Sequence, residues 1–297
     1  MTFPTVQDAD TKNGTVTTNS TSWTLTYPTN IAAGDLLLAF IAADGGGRCT
    51  ALPAGWTFMH QRNEGAVSLT SAAKIADGTE TGTFTATIAA SEQGGWRIFR
   101  ITGWFGSGAA GNAGDADTQT DGDGTAEECV ANTTGNPNPD PLDPANWATE
   151  DTLWFAVCGV DTSRTISVYP LADRNTADVS GGAGGATLGV CSANSAVGSL
   201  DPGTFTISTS DDWVALTVAI RPAAPTNMPP GLGPAVGMAQ PMMMAQDVLA
   251  RFAVRNAANA AAQTTTDNPP VENFVLLSAP QPPGQQLRTE DPALLRY

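Results

Sequence analysis

Two apolar runs stand out from a chain that otherwise alternates polar and apolar residues. The longer is Leu36-Leu37-Leu38-Ala39-Phe40-Ile41-Ala42-Ala43, entered through Gly34-Asp35 and closed by Asp44. Its echo is Leu153-Trp154-Phe155-Ala156-Val157-Cys158-Gly159-Val160, entered through Glu150-Asp151-Thr152 and closed by Asp161. A short run with no polar alternation suits a strand buried on both faces. The echo continues: Gly82-Thr83-Phe84-Thr85 returns as Gly203-Thr204-Phe205-Thr206, and Trp96 returns as Trp213. The offset is 117 for Leu36 to Leu153 and for Trp96 to Trp213, and 121 for the Gly-Thr-Phe pair. The pattern predicts an all-β body over residues 1–222, a jelly-roll-type sandwich with two pseudo-repeated halves at about 1–105 and 150–222.

Between these runs the signals are those of strands and turns. Trp23-Thr24-Leu25-Thr26-Tyr27 alternates with a period of two, so one face is buried and the other wet. Gly45-Gly46-Gly47 and Pro53-Ala54-Gly55 read as turns, residues 66–76 as a strand, and Asp77-Gly78 as the tight turn that ends it. Thr83 to Ile88 is predicted as one strand and Trp96 to Ile101 as another, with Arg97 and Arg100 at the solvent face or against an acidic neighbour. Residues 106–149 are rich in Gly, Asp and Pro and are expected to form an excursion between the halves. Three prolines in Asn136-Pro137-Asn138-Pro139-Asp140-Pro141 exclude a central strand there, because each removes a ladder donor. Ser180 to Gly185 is a glycine-rich link.

From Ala223 the composition changes. Pro225, Pro229, Pro230, Pro234 and Pro241 mark an extended C-terminal arm, residues 223–297. One short amphipathic helix is predicted at about 242–262, with Met244, Val248, Leu249 and Phe252 as its apolar stripe and Asp247 and Arg251 at i and i+4. Phe274-Val275-Leu276-Leu277 is a short apolar strand with no neighbour to pair with. A segment of this composition buries too little surface to fold alone. Those two stretches are therefore the expected partner-binding residues: the stripe to fill an apolar groove, the strand to extend a sheet edge.

Charge narrows the partners. The chain of 297 residues carries a formal charge of −16, with 24 acids and 9 bases in residues 1–222 against 5 and 4 beyond. Such a body repels nucleic acid and anionic lipid, and no apolar run approaches the roughly 20 residues that span a bilayer. Met1-Thr2-Phe3-Pro4-Thr5 lacks the basic start and apolar core of a signal peptide, so synthesis in a cytoplasm is expected. The four cysteines, Cys49, Cys129, Cys158 and Cys191, form no CxxC pair. Neither a zinc site nor a redox motif is written, and Cys158 and Cys191 are expected as buried thiols, with a bridge left open.

Candidate chemistry is sparse. A single histidine, His60, excludes a histidine dyad or a histidine-rich metal centre. Gly106-Ser107-Gly108-Ala109-Ala110-Gly111 fits GxGxxG without a following helix, and no carboxylate pair stands out by spacing, so no catalytic residue is assigned. Asp117 to Glu128 matches part of the EF-hand loop. Asp117, Asp121, Asp123 and Glu128 offer the hard oxygens that calcium needs, but Gln119 and Gly124 depart from the pattern and no helix is predicted on either side. Calcium at these four residues is thus set against a solvated acidic loop, and a metal there would be structural. Among the seven tryptophans, Trp104 and Trp147 flank the excursion and are the candidates for stacking on a sugar.

Gly34-Asp35-Leu36-Leu37-Leu38, Pro53-Ala54-Gly55-Trp56-Thr57, Ala76-Asp77-Gly78-Thr79-Glu80, and Trp96 with Ile101-Thr102-Gly103 resemble a pattern in β-rich virion proteins of tailed bacteriophages. The resemblance covers residues 25–105, with a fainter return in the second half. It implies a jelly-roll-type sandwich on the particle, as a capsid decoration or accessory tail protein, and carries over no catalytic residue. The expectation is a virion structural protein, a decoration or cement protein without enzymatic activity or cofactor. It would be a trimer or other symmetric oligomer whose arm drapes over neighbouring capsid subunits. The alternative is a carbohydrate-binding module of a fibre or tail, with a glycan as partner.

Overall fold

The fold follows from where the two doubly buried runs sit. In the computed structural model, which describes residues 2–105, 116–117, 129–144, 149–172, 174–175 and 179–223, each run is the middle strand of its own seven-stranded sheet. All of these residues belong to the chain's larger unit, Met1–Ala245, and the second unit, Gln246–Tyr297, lies outside them. The first sheet is built from β1 (Thr5–Val6), β2 (Lys12–Thr26), β3 (Leu36–Asp44), β4 (Cys49–Ala51), β5 (Thr57–Glu64), β6 (Val67–Ile75) and β7 (Thr83–Thr102). After it come β8 (Ala116–Asp117), β9 (Cys129–Asn132), β10 (Thr152–Val160), β11 (Ile166–Val168), β12 (Arg174–Asn175), β13 (Val179–Ser180), β14 (Thr187–Ser195), β15 (Thr206–Ile207) and β16 (Trp213–Ile220). Among the described residues the one helical element is a 3-10 turn, Asp8–Asp10. The body is all-β, as the alternation predicts.

In the first sheet β3 lies between β6 and β7, with β5 outside β6 and both β1 and β2 along the far side of β7. In the second, β10 lies between β14 and β16, with β12 and β13 outside β14 and both β8 and β9 along the far side of β16. Every pairing is antiparallel. The small ribbon of β11 and β15 stands apart, and its register shifts between Ile166 and Val168, as the β4–β7 pairing shifts between Cys49 and Ala51. A bulge of this kind puts two residues of one strand against one of the other and bends it.

The two sheets pack face to face, β3 over β10 and β14, β6 over β10 and β16, β7 over β13 and β14. Alternation along a strand sends successive side chains to opposite faces. Leu36, Leu38 and Phe40 therefore enter the inter-sheet core with Leu153, Phe155 and Val157. Phe40, Phe99 and Phe155 meet there at centroid separations of 5.1 to 6.1 Å. Leu37, Ala39 and Ile41 face outward, yet they are buried as well. The cover comes from the same sheet: β7 runs for 20 residues and is one strand where the sequence suggests two. Its first half pairs with the end of β2 and with β4, and brings Phe84 and Ile88 over Trp96 and Ile98. On the second sheet Phe205, Ile166 and Leu142 cover Trp154 and Cys158 in the same way. Each large apolar side chain so buried is worth roughly 1.5 to 3 kcal/mol.

Part of the expected excursion belongs to this second sheet. Residues 129–132 pair with β16, and Leu142 forms a bridge with Leu200. The proline-rich segment 136–141 fits because its carbonyls still accept: the Phe205 N–H donates to the Pro137 oxygen at 2.8 Å, and Thr217 Oγ1 donates to that of Asp140 at 2.7 Å. The glycine-rich link at 180–185 is packed against β7. A Cβ on Gly181 would fall 2.7 Å from the Gly94 Cα, and one on Gly94 would overlap the Ala42 carbonyl oxygen.

Candidate functional sites

The loop with the calcium-like spacing leaves and rejoins one strand edge. Asp117 pairs with Ala219 of β16, and Cys129, twelve residues on, pairs with Leu216 of the same strand. The elements on both sides of the loop are strands, where an EF-hand has helices. Asp121, Asp123 and Glu128 lie outside the described residues, as do the partner-binding candidates Met244, Val248, Leu249, Phe252, Phe274, Val275, Leu276 and Leu277. Among the described residues, no group of three or more His, Cys, Asp or Glu is placed to hold a metal ion.

Trp104, a stacking candidate from sequence, is fully buried in the inter-sheet core and presents no face to a sugar. Its indole Nε1 donates to the Gly34 carbonyl at 2.9 Å, and its backbone bridges to Pro222 just past β16. The residue closes the first sheet onto the exit of the second, which explains a tryptophan beside a glycine-rich stretch. Trp147 lies outside the described residues.

Charged groups inside the body are tied to one another at the ends of the central strands. Arg100 on β7 donates from Nε to Asp35 Oδ2 at 2.6 Å and from Nη1 to Asp10 Oδ2 at 2.7 Å. Thr29 Oγ1 and Asn30 Nδ2 add two donors to Asp10 Oδ1, each at 2.7 Å. The Thr29 hydroxyl first, then Arg100, hold the Asp10 carboxyl below its usual range against the opposing effect of burial. The second sheet has a similar clamp in Arg221, which grips Glu150 with both Nε and Nη2 at 2.7 and 2.6 Å and lies 5.0 Å over the Phe105 ring. Each clamp ties the entry of a middle strand to its neighbour, so the acids that open the echoing runs are structural. Arg97 differs from the expected solvent-facing residue: it lies 5.4 Å over the Phe99 ring, and burial lowers its pKa.

At the far ends of the two middle strands stand the aspartates that close the runs, Asp44 as the last residue of β3 and Asp161 directly after β10. Burial first, and then the neighbouring carboxyls of Asp44 and Asp211, push the Asp161 carboxyl up to about 7, against the donating N–H of Thr162. Glu92 on β7 is raised as well, by burial and then by Asp44. Cys49, Cys158 and Cys191 are free thiols in buried positions, and burial pushes Cys49 and Cys191 up to about 12.

Comparison of the chain with family models, with curated proteins and with solved structures gave no match.

Proposed function

We propose that the chain is a structural protein of a tailed-bacteriophage particle, a capsid decoration or cement protein that acts by non-covalent contact and has no catalytic role. The observation that carries the reading is the division of the chain. The body up to Ala223 spends its aromatic side chains and the acids at its strand entries on its own packing. It is followed by 74 residues, 224–297, rich in Pro, Ala, Met and Gln. The motifs of the resemblance fall on turns and core of the first sheet: Gly34, at φ +91°, opens β3, Gly55 opens β5, and Asp77 with Glu80 shapes the turn into β7. A body packed on itself, followed by a Pro-rich segment whose composition buries too little surface to fold alone, suits a clasp between subunits of a shell.

On the same reading the body consists of two copies of one strand unit, packed about an approximate two-fold axis. In support, both sheets share one strand order, and the bulges at Cys49–Ala51 and Ile166–Val168 recur at the offset of 117. The repeat, more than a jelly-roll winding, is the part of the expected architecture that these orders favour. The test of function is removal of residues 224–297, followed by measurement of how much protein is incorporated into particles. Loss of incorporation with the body still folded is expected; undiminished incorporation removes the arm from the mechanism.

A further inference from the structure

Asn13-Gly14 is the one Asn-Gly pair in the chain. Such a pair is the strongest short-range signal for a hairpin turn, yet here it lies inside β2, a strand of 15 residues. A turn therefore does not explain the glycine. Its neighbour across the sheet does: Gly14 is opposite Trp96 of β7, and a Cβ on Gly14 would fall 2.5 Å from the Trp96 ring. The packing that demands glycine leaves Asn13 next to a backbone nitrogen that no side chain shields.

The residue opposite Asn13 is Arg97. Residues directly opposite in an antiparallel pair project to the same face, with their Cβ atoms about 4.5 to 5.5 Å apart. Arg100, Arg164 and Arg221 each close on a carboxylate. Arg97 instead lies over the Phe99 ring, and its Nε is buried without a hydrogen-bond partner. A donor left so costs the full loss of its hydration. Of the two cross-strand neighbours of Arg97, Phe40 on β3 is apolar, and Asn13 is an exposed neutral amide on a strand that pairs with β7 alone. A carboxylate reaching Arg97 from within the sheet would have to come from residue 13.

We propose that Asn13 is a deamidation site and that the aspartate formed there pairs with Arg97, so that the chain completes its own ion pair after folding. The Gly14 nitrogen attacks Asn13 Cγ and gives up its proton, and the side-chain nitrogen leaves as ammonia, which closes a succinimide ring. Water then opens the ring. Breaking the new Cγ–N bond yields aspartate and restores the ordinary main chain. Breaking the original C–N bond yields isoaspartate, which lengthens the main chain by one carbon and disturbs the register of β2 on β7. The reaction consumes water and no other reagent. Its site is the second residue of β2, where the end of a strand opens ahead of its middle. The sheet favours one product, since only aspartate both keeps the ladder to β7 and brings a carboxylate to Arg97.

The test has two arms. In the first, the purified full chain is aged in mildly alkaline buffer, and residue 13 is mapped by peptide mass spectrometry that separates asparagine, aspartate and isoaspartate. Aspartate is expected at residue 13 ahead of conversion at any other asparagine. An Asn13 that stays an amide, or that converts mainly to isoaspartate in the folded chain, overturns the proposal. In the second, fresh wild type, Asn13→Asp, Arg97→Met and the double variant are compared by thermal unfolding at neutral pH. Asn13→Asp is expected to raise Tm by about 2 °C beside Arg97 and not beside Met. No gain, or a gain that persists without Arg97, overturns the pairing. Should Arg97→Met fail to fold, the gain of Asn13→Asp is followed into acid. A carboxylate held by Arg97 has its pKa lowered, so its stabilisation is present above the ordinary carboxylate range and is lost as pH falls through the folded value. A gain that survives in acid also overturns the pairing.

Discussion

Replacing Trp104 by alanine should come close to unfolding the body. The side chain is fully buried between the sheets, and its indole N–H donates to Gly34, the residue that turns the chain into β3. Truncating a buried tryptophan costs about 3 to 5 kcal/mol in lost transfer energy and residual cavity. Leaving the Gly34 carbonyl without its donor adds about 1 kcal/mol. Against a total stability of roughly 5 to 15 kcal/mol, a loss of about 4 to 6 is large. With a urea m-value near 3 kcal/mol/M, the upper end for a domain of this size, the unfolding midpoint should fall by roughly 1.3 to 2 M. Trp104→Phe keeps most of the packing and loses the hydrogen bond, and should cost about 1 to 2 kcal/mol. Circular dichroism of both variants in urea, with m compared, is the assay. A loss below about 1 kcal/mol for Trp104→Ala at unchanged m would mean that the indole is not in the core, and would return Trp104 to the surface role that its place in the sequence suggests.

Gly94→Ala should cost about 3 kcal/mol or more, because its Cβ would overlap the Ala42 carbonyl and lie 2.8 Å from the buried Trp23 ring; alanine at the open position Gly184 is the control, and equal stabilities would refute the close approach. Arg221→Met should lower Tm by several degrees and Arg221→Lys should restore only part of that, since an ammonium cannot make both bonds to Glu150; full rescue by lysine would show that the paired geometry does not matter. Cys49 and Cys191 should resist a maleimide at pH 8 in the native protein and react on unfolding, with thiols pushed up to about 12 by burial, and mass mapping of early label on either residue would contradict their placement.

Local pattern determined much of this protein. Strands buried on both faces are legible in Leu36–Ala43 and Leu153–Val160 because their apolar residues occupy both alternations. The Asp77-Gly78 turn and the alternation of Thr83 to Ile88 are set by neighbouring residues alone. The echo, at offsets of 117 and 121, predicts two matched halves of one all-β body, and the structure makes its two apolar runs the middle strands of two sheets. What the pattern could not carry is which distant backbones touch. Residues 129–142 look like a polar excursion, because their prolines and asparagines give no sign that Cys129 to Asn132 pair with β16 or that the Pro137 and Asp140 carbonyls accept from Phe205 and Thr217. Gly181 reads as part of a glycine-rich link until its backbone is seen to cross that of Gly94 with no room for a Cβ. Trp104 reads as a loop residue because its burial comes from both sheets together. Strand identity is a short-range property of side-chain alternation, whereas the exclusion of a methyl group or the burial of a tryptophan depends on atoms brought together by the tertiary fold.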